Sequence, residues 1–215
     1  MIATTENTII RVWDIAVRVF HWSLVVFFSI AYVSGEIESE LLHAYAGYAV
    51  LALVAFRIAW GLVGTKHARF PEFVFGPAAT LRYAKSLLSS KPLHYLGHNP
   101  LGGWMVVALL VCLIGACWSG LEAYGAQGHG PLASPGAPVV SQAAANGDRE
   151  RRGERERKRG KKKGDKFWQE IHETLSHFTF VLVLLHVIGV LIASALHREN
   201  LTRAMITGYK TRRMP

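Results

Sequence analysis

Residues 171–190 read IHETLSHFTFVLVLLHVIGV, a stretch apolar enough for a bilayer that nevertheless holds three histidines. His172 and His186 lie fourteen residues apart. On a helix turning ~100° per residue that is four turns less ~40°, so both rings leave the same face. The rise between them is ~21 Å, most of the ~30 Å hydrocarbon core of a membrane. His177 points ~140° from His172 and ~180° from His186 by the same arithmetic, and looks elsewhere. Two imidazoles therefore share one stripe at two depths.

Of the 215 residues, 51% are hydrophobic and only 18% charged, against the ~25% usual in soluble domains. The charges avoid four stretches. Residues 19–35 and 101–121 carry none, 41–65 carry only Arg57, and 174–196 carry none beyond histidine. Each has about the length of a membrane helix and lacks the polar outer face of a soluble one. The expected fold is an all-α integral membrane protein. It is one domain over residues 1–215, a four-transmembrane-helix bundle with helices near 17–35, 41–64, 101–121 and 171–196. Glu6 and Asp14 spoil the basic start of a cleavable signal, so the first helix is expected to stay as an anchor.

The connection at 36–40, EIESE, is short and acidic, whereas 66–100 is basic, with Lys66, Arg69, Arg82, Lys85 and Lys91. Residues 126–166 lack apolar periodicity and read as a disordered basic insertion. Its eleven Lys/Arg, Arg149 to Lys166, nearly balance the basic residues on the other side. Five acids are interspersed among them, and most lie far from a helix end, so the remaining connections decide orientation. By the positive-inside rule both termini are cytoplasmic.

Ionisable groups inside a membrane are costly and are functional candidates by default. His21 lies near the start of the first helix and His43 near the start of the second, hence at opposite faces. The fourth helix runs parallel to the second, so His172 lies at the depth of His43 and His186 toward that of His21. The depths form two pairs, His43 with His172 and His21 with His186. Tetrahedral zinc wants four protein ligands, or three and a water, and no carboxylate or thiolate completes either level. Haem brings four nitrogens of its own and needs only two axial ligands. The pairs thus point to two stacked haem b groups, with no open position at iron for a substrate. Ala46 and Gly47, Ser176, and Gly189 stand one turn from the histidines and leave room for a flat macrocycle.

Arg57, fourteen residues after His43, either pairs with a haem propionate or snorkels to the headgroups, and Arg18 carries the same two readings. His177 reads as a packing or hydrogen-bonding residue and His197 as interfacial. Of the loop histidines His67, His94 and His98, the last, in HNP, is the best functional candidate. Cys112 and Cys117 lie on different faces, read as packing residues and cannot pair. No CxxCH is present for covalent haem attachment.

RVFHW, HAYAGY with FRIAWGLVG, KHARF, YLGHNPLGG, IHE followed by LLH, and HRENLTRAMITGYK together resemble the bacterial cytochrome b561 and nickel–iron hydrogenase cytochrome b superfamily. The resemblance covers nearly the whole chain except about 126–165. It implies that His21, His43, His172 and His186 ligate two haem b groups in the bacterial inner membrane. It further implies electron transfer between quinone and a redox partner, such as a c-type cytochrome, a hydrogenase or another periplasmic or membrane-bound protein. Whether the chain is an electron carrier or a subunit of a quinone-linked oxidoreductase stays open. Membrane lipid surrounds it, and a second copy is a further candidate partner. The basic insertion is either a dock for an acidic partner or a lineage-specific loop. It lies outside the cell, which argues against nucleic acid. The competing class is an ion or metal transporter that uses its intramembrane histidines.

Overall fold

The computed structural model describes residues 7–87, 93, 95, 97–133, 147–197 and 199–213. In chain order these form β1 (Asn7–Arg11), α1 (Ile15–Glu36), α2 (Glu40–Val63), α3 (Pro77–Ser86), α4 (Pro100–Ala126), α5 (Gly147–His197), α6 (Leu201–Thr207) and β2 (Tyr209–Arg213). Two short 3-10 turns, Lys66–Ala68 and Phe70–Glu72, follow α2. α1, α2, α4 and the Lys166–His197 part of α5 are long and apolar enough to cross a membrane.

Local chemistry sets the helix starts. The Asp14 side chain accepts the Val17 N–H at 2.7 Å and caps α1, and Asn99 accepts the Gly102 N–H at 2.7 Å ahead of Pro100 in α4. Asp14 also accepts from the Trp60 indole at 3.1 Å and from the Thr65 hydroxyl, tying the start of α1 to the end of α2. Burial pushes its carboxyl up, but hydrogen bonds from Thr65, Val17, Trp60 and Ala16 outweigh that and hold it below its ordinary range.

α1 packs on α2, α4 on α5 and α2 on α4, while contacts of α5 with α1 and α2 are sparse. Val50, Val54, Leu110 and Leu113 form the central core, bordered by Phe28, Phe70 and Cys117. Cys112 and Cys117 are both free thiols. Val187, Leu191 and Ile192 of α5 point outward, which costs nothing where lipid tails are as apolar as leucine.

The start of α1, the end of α2, the start of α4 and the end of α5 gather at one end. There β1 and β2 pair antiparallel, from Asn7 opposite Arg213 to Arg11 opposite Tyr209. Gly208, at φ 88°, makes the left-handed exit from α6, and its carbonyl accepts the N–H groups of Val12 and Trp13 at 2.9 and 3.1 Å. Val12, Trp13, Val17, Ala68 and Ala204 form a second core beneath this ribbon. The opposite end carries the α1–α2 turn at 37–39. Ribbon end and turn end name the two below.

Within the segment 126–166, expected to be disordered, α4 ends at Ala126 and α5 begins at Gly147. α5 therefore extends 24 residues ahead of Ile171, or ~36 Å at 1.5 Å per residue. Lack of apolar periodicity does not exclude a helix. Arg, Lys and Glu are good helix formers, and Asp148/Arg152 and Glu154/Lys158 have favourable i,i+4 spacing. Residues 134–146 of that segment lie outside the described residues.

Candidate functional site

His43 projects from the first turn of α2 toward His172 of α5. Their ring centroids are 5.7 Å apart with planes at 83°. His43 Nδ1 donates to the Ala31 carbonyl of α1 at 2.8 Å, and His172 Nδ1 to the Ala116 carbonyl of α4 at 2.9 Å. A carbonyl only accepts, so each Nδ1 carries a proton, and in the neutral ring Nε2 is then the free acceptor. This is the arrangement by which metal-ligating histidines are oriented. A metal bonded to both rings at ~2.0–2.1 Å would place the ring centres about 6 Å apart, close to the spacing observed. Among the described residues no group of three or more His, Cys, Asp or Glu is placed to hold a bare ion. The donor set suits a group that supplies the remaining ligands itself.

A cavity of about 580 Å³ opens between the rings, within the range of small-molecule sites. Its walls include Tyr32, Gly47, Tyr48, Gly120 and Tyr124. The glycines do two jobs. A Cβ on Gly120 would lie 2.9 Å from the His172 ring, and one on Gly35 would lie 3.1 Å from His43 Nδ1, so both let a ring approach. A Cβ on Gly47 would meet nothing within 4 Å, and Gly189 near His186 is equally open. Those are the spaces a flat macrocycle requires.

At the other depth, His21 of α1 and His186 of α5 lie within electrostatic reach of each other. The His21 Nδ1 is buried without a hydrogen-bond partner, and the ring stands edge-on to Trp22 at 5.2 Å. Among the described residues this pair has no carbonyl anchors like those of the first.

Arg57 does not snorkel. It is 3% exposed, with its guanidinium under the rings of Phe70 and Phe73 at 5.1 and 5.6 Å and Nη1 without a partner. Arg18 turns instead to the ribbon end, where Nη2 donates to the Ile206 carbonyl of α6 and Nε stays buried and unpaired. His177 accepts a surface role: Nδ1 bonds the Glu173 carbonyl at 2.8 Å, Nε2 lies 3.9 Å from Glu36, and the ring stands against Tyr32. The carbonyls and glycines that support the histidine rings leave no mark in the sequence, because neither a backbone carbonyl nor a helix-packing glycine has a distinctive residue pattern.

His98 packs its ring on Trp13 and Phe73 at 4.6 and 4.8 Å, and its Nδ1 is buried without a partner. Burial first, then the positive charges of Arg57 and Lys210, push it down to about 3. The unfolded value is ~6.5, so the unfolded chain binds more protons over the interval between them. Stability from this group is complete above ~6.5 and falls as pH drops from there toward 3. Thermal unfolding should therefore shift to lower temperature between pH 7 and pH 5, and His98→Gln should flatten that slope. An unchanged slope would remove His98 as its source.

Four apolar helices around paired intramembrane histidines and a macrocycle-sized cavity define a membrane protein of the haem-binding helical-bundle class. The profile of prokaryotic cytochrome b561 matches residues 12–208, and the chain belongs to that family. It is accordingly a membrane b-type cytochrome of electron transfer. No match was found among curated proteins or among solved structures.

Proposed function

We propose that the chain holds two haem b groups, one between His43 and His172 and one between His21 and His186, and passes electrons across the bacterial inner membrane. The exchange runs between the quinone pool and a redox protein at the opposite face, with both termini cytoplasmic. The observation that carries this reading is the His43/His172 pair, anchored through Nδ1 to carbonyls of two other helices on either side of a cavity. Bound haem supplies reversible one-electron chemistry at iron. The protein's own part is positional. The carbonyls of Ala31 and Ala116 would fix the tautomer and aim of two ligands, Gly35 and Gly120 admit the rings, and two histidines holding each group would leave no ligand position for oxygen or substrate. Arg57, buried with a free N–H, is placed to meet a propionate as a charged fork. Arg18 gives its Nη2 to Ile206 and keeps a buried Nε without a partner for the same purpose.

Purified protein should carry two haem b per chain, extractable by acid acetone because no thioether bond retains them. A reduced-minus-oxidised spectrum should show sharp low-spin bands. One haem, stably bound in folded protein, would refute the two-level arrangement.

A further inference from the structure

The eleven Lys/Arg between Arg149 and Lys166 are not spread evenly around α5. Counted at ~100° per residue, all but Arg149, Arg157 and Lys161 fall within one arc of ~140°. Asp148, at the far tip, is the one acid of this stretch in that arc. Glu150, Glu154, Glu156 and Asp165 share the remaining face with Gly153, Gly160 and Gly164. A helix that needs only solubility alternates its charges, and like charges at i,i+4 repel. Arg155/Arg159, Arg159/Lys163 and Lys162/Lys166 have that spacing, so the pattern weakens the helix unless an anion covers it.

Gly115 meets Leu175 and Gly120 meets His172, so α4 runs antiparallel to α5 and ends, at Ala126, near the level of Lys166. From Lys166 back to Gly147, α5 runs on for ~28 Å. Lys166 is exposed and stands ~5 whole turns before Leu184, which is exposed on the span, while His172 and His186 lie ~120° and ~160° away. The arc is therefore in register with the exposed face of the span and not with the histidine stripe. Toward the membrane the same face turns acidic, with Glu170 and Glu173, and Glu36, Glu38, Glu40 and Glu122 belong to this end as well. These acids repel an anion from the bundle and leave it the stretch from Arg151 to Lys163.

We infer that this arc is a docking surface for an acidic protein. Charge complementarity sets the class of partner. α5 is unbroken from Gly147 through the span, so the arc climbs ~22 Å from Lys166 to Arg151 away from the bilayer, and lipid headgroups reach only its base. A second copy fits badly, because a two-fold pair brings the same patch of each chain together and here like charges would meet. That the partner is the redox protein rests on the electron-transfer reading above; the docking surface itself does not.

Binding of fluorescently labelled poly-L-glutamate to the full-length protein in phosphatidylcholine nanodiscs, read by anisotropy, tests this. The wild type should bind, and more weakly as salt rises. The triple variant Arg155→Gln, Arg159→Gln, Lys162→Gln, all within the arc, should weaken binding about tenfold. The triple variant Arg149→Gln, Arg157→Gln, Lys161→Gln removes as much charge from the other face and should leave binding nearly unchanged. Glutamine has a helix propensity close to that of arginine and lysine, so both variants keep α5. No binding by the wild type would overturn the inference. Equal losses in the two variants would overturn it as well, since net charge alone would then attract the probe. Vesicles of phosphatidylglycerol that outcompete polyglutamate, with the same dependence on face, would give the surface to lipid and overturn the protein partner. None of these outcomes depends on haem content, which tests the reading above separately.

Discussion

His43→Ala and His172→Ala are expected to abolish the same spectral component of the reduced protein and to spare the other. His21→Ala and His186→Ala should do the converse, each variant losing about half of the bound haem, because a low-spin site needs both axial nitrogens. For the first pair the loss has a second origin. Each ring is held by one carbonyl of a neighbouring helix, and removing either ring takes a donor from that carbonyl, which keeps a serine hydroxyl, that of Ser34 on Ala31 and of Ser119 on Ala116. His177→Ala should spare both components, since that ring's partners are Glu36, Tyr32 and the backbone of Glu173. Low-temperature reduced-minus-oxidised spectra resolve the components. A pair that crosses between them would refute the assignment.

Gly120→Val is expected to remove the turn-end component as completely as loss of the ligand itself. The added Cβ would sit 2.9 Å from His172 Cε1 and 3.0 Å from Nδ1, inside contact distance. α4 and α5 pack along their length, so relief comes most cheaply from swinging the ring off the Ala116 carbonyl. The helix itself is not weakened much, because leaving glycine gains a few tenths of a kcal/mol in propensity, up to ~1 for alanine. Gly47→Leu is the complementary variant. Its side chain enters open space, so the chain should fold while the cavity no longer admits a macrocycle. Helical content by circular dichroism, measured beside haem content, separates the two cases. Full haem retention in Gly120→Val would show that the ring is not confined where the structure puts it.

The four spans were legible because apolar length and missing charge are local properties of the chain. The histidine stripe was legible because fourteen residues close nearly a whole number of helical turns. What supports the rings was not. Gly120 and His172 are 52 residues apart, and their approach depends on how α4 meets α5. Arg57 illustrates the boundary: spacing gives its face and depth, but its burial comes from Phe70 and Phe73 in a connection whose path the periodicity does not describe. The charged start of α5 was not legible for a different reason. Periodicity reports an apolar face, and this stretch of sequence carries none.

The ribbon orders events in time. β1 precedes every spanning helix and β2 follows them all, so their pairing joins segments about 200 residues apart and waits until the rest is made. The helices it clasps, α1 next to β1 and α5 leading through α6 to β2, are those that supply His21 and His186. The turn-end ligands, by contrast, are steadied by α1 and α4 as soon as α5 is inserted. On the proposed two-haem reading, the His43/His172 site is therefore expected to form before the His21/His186 site.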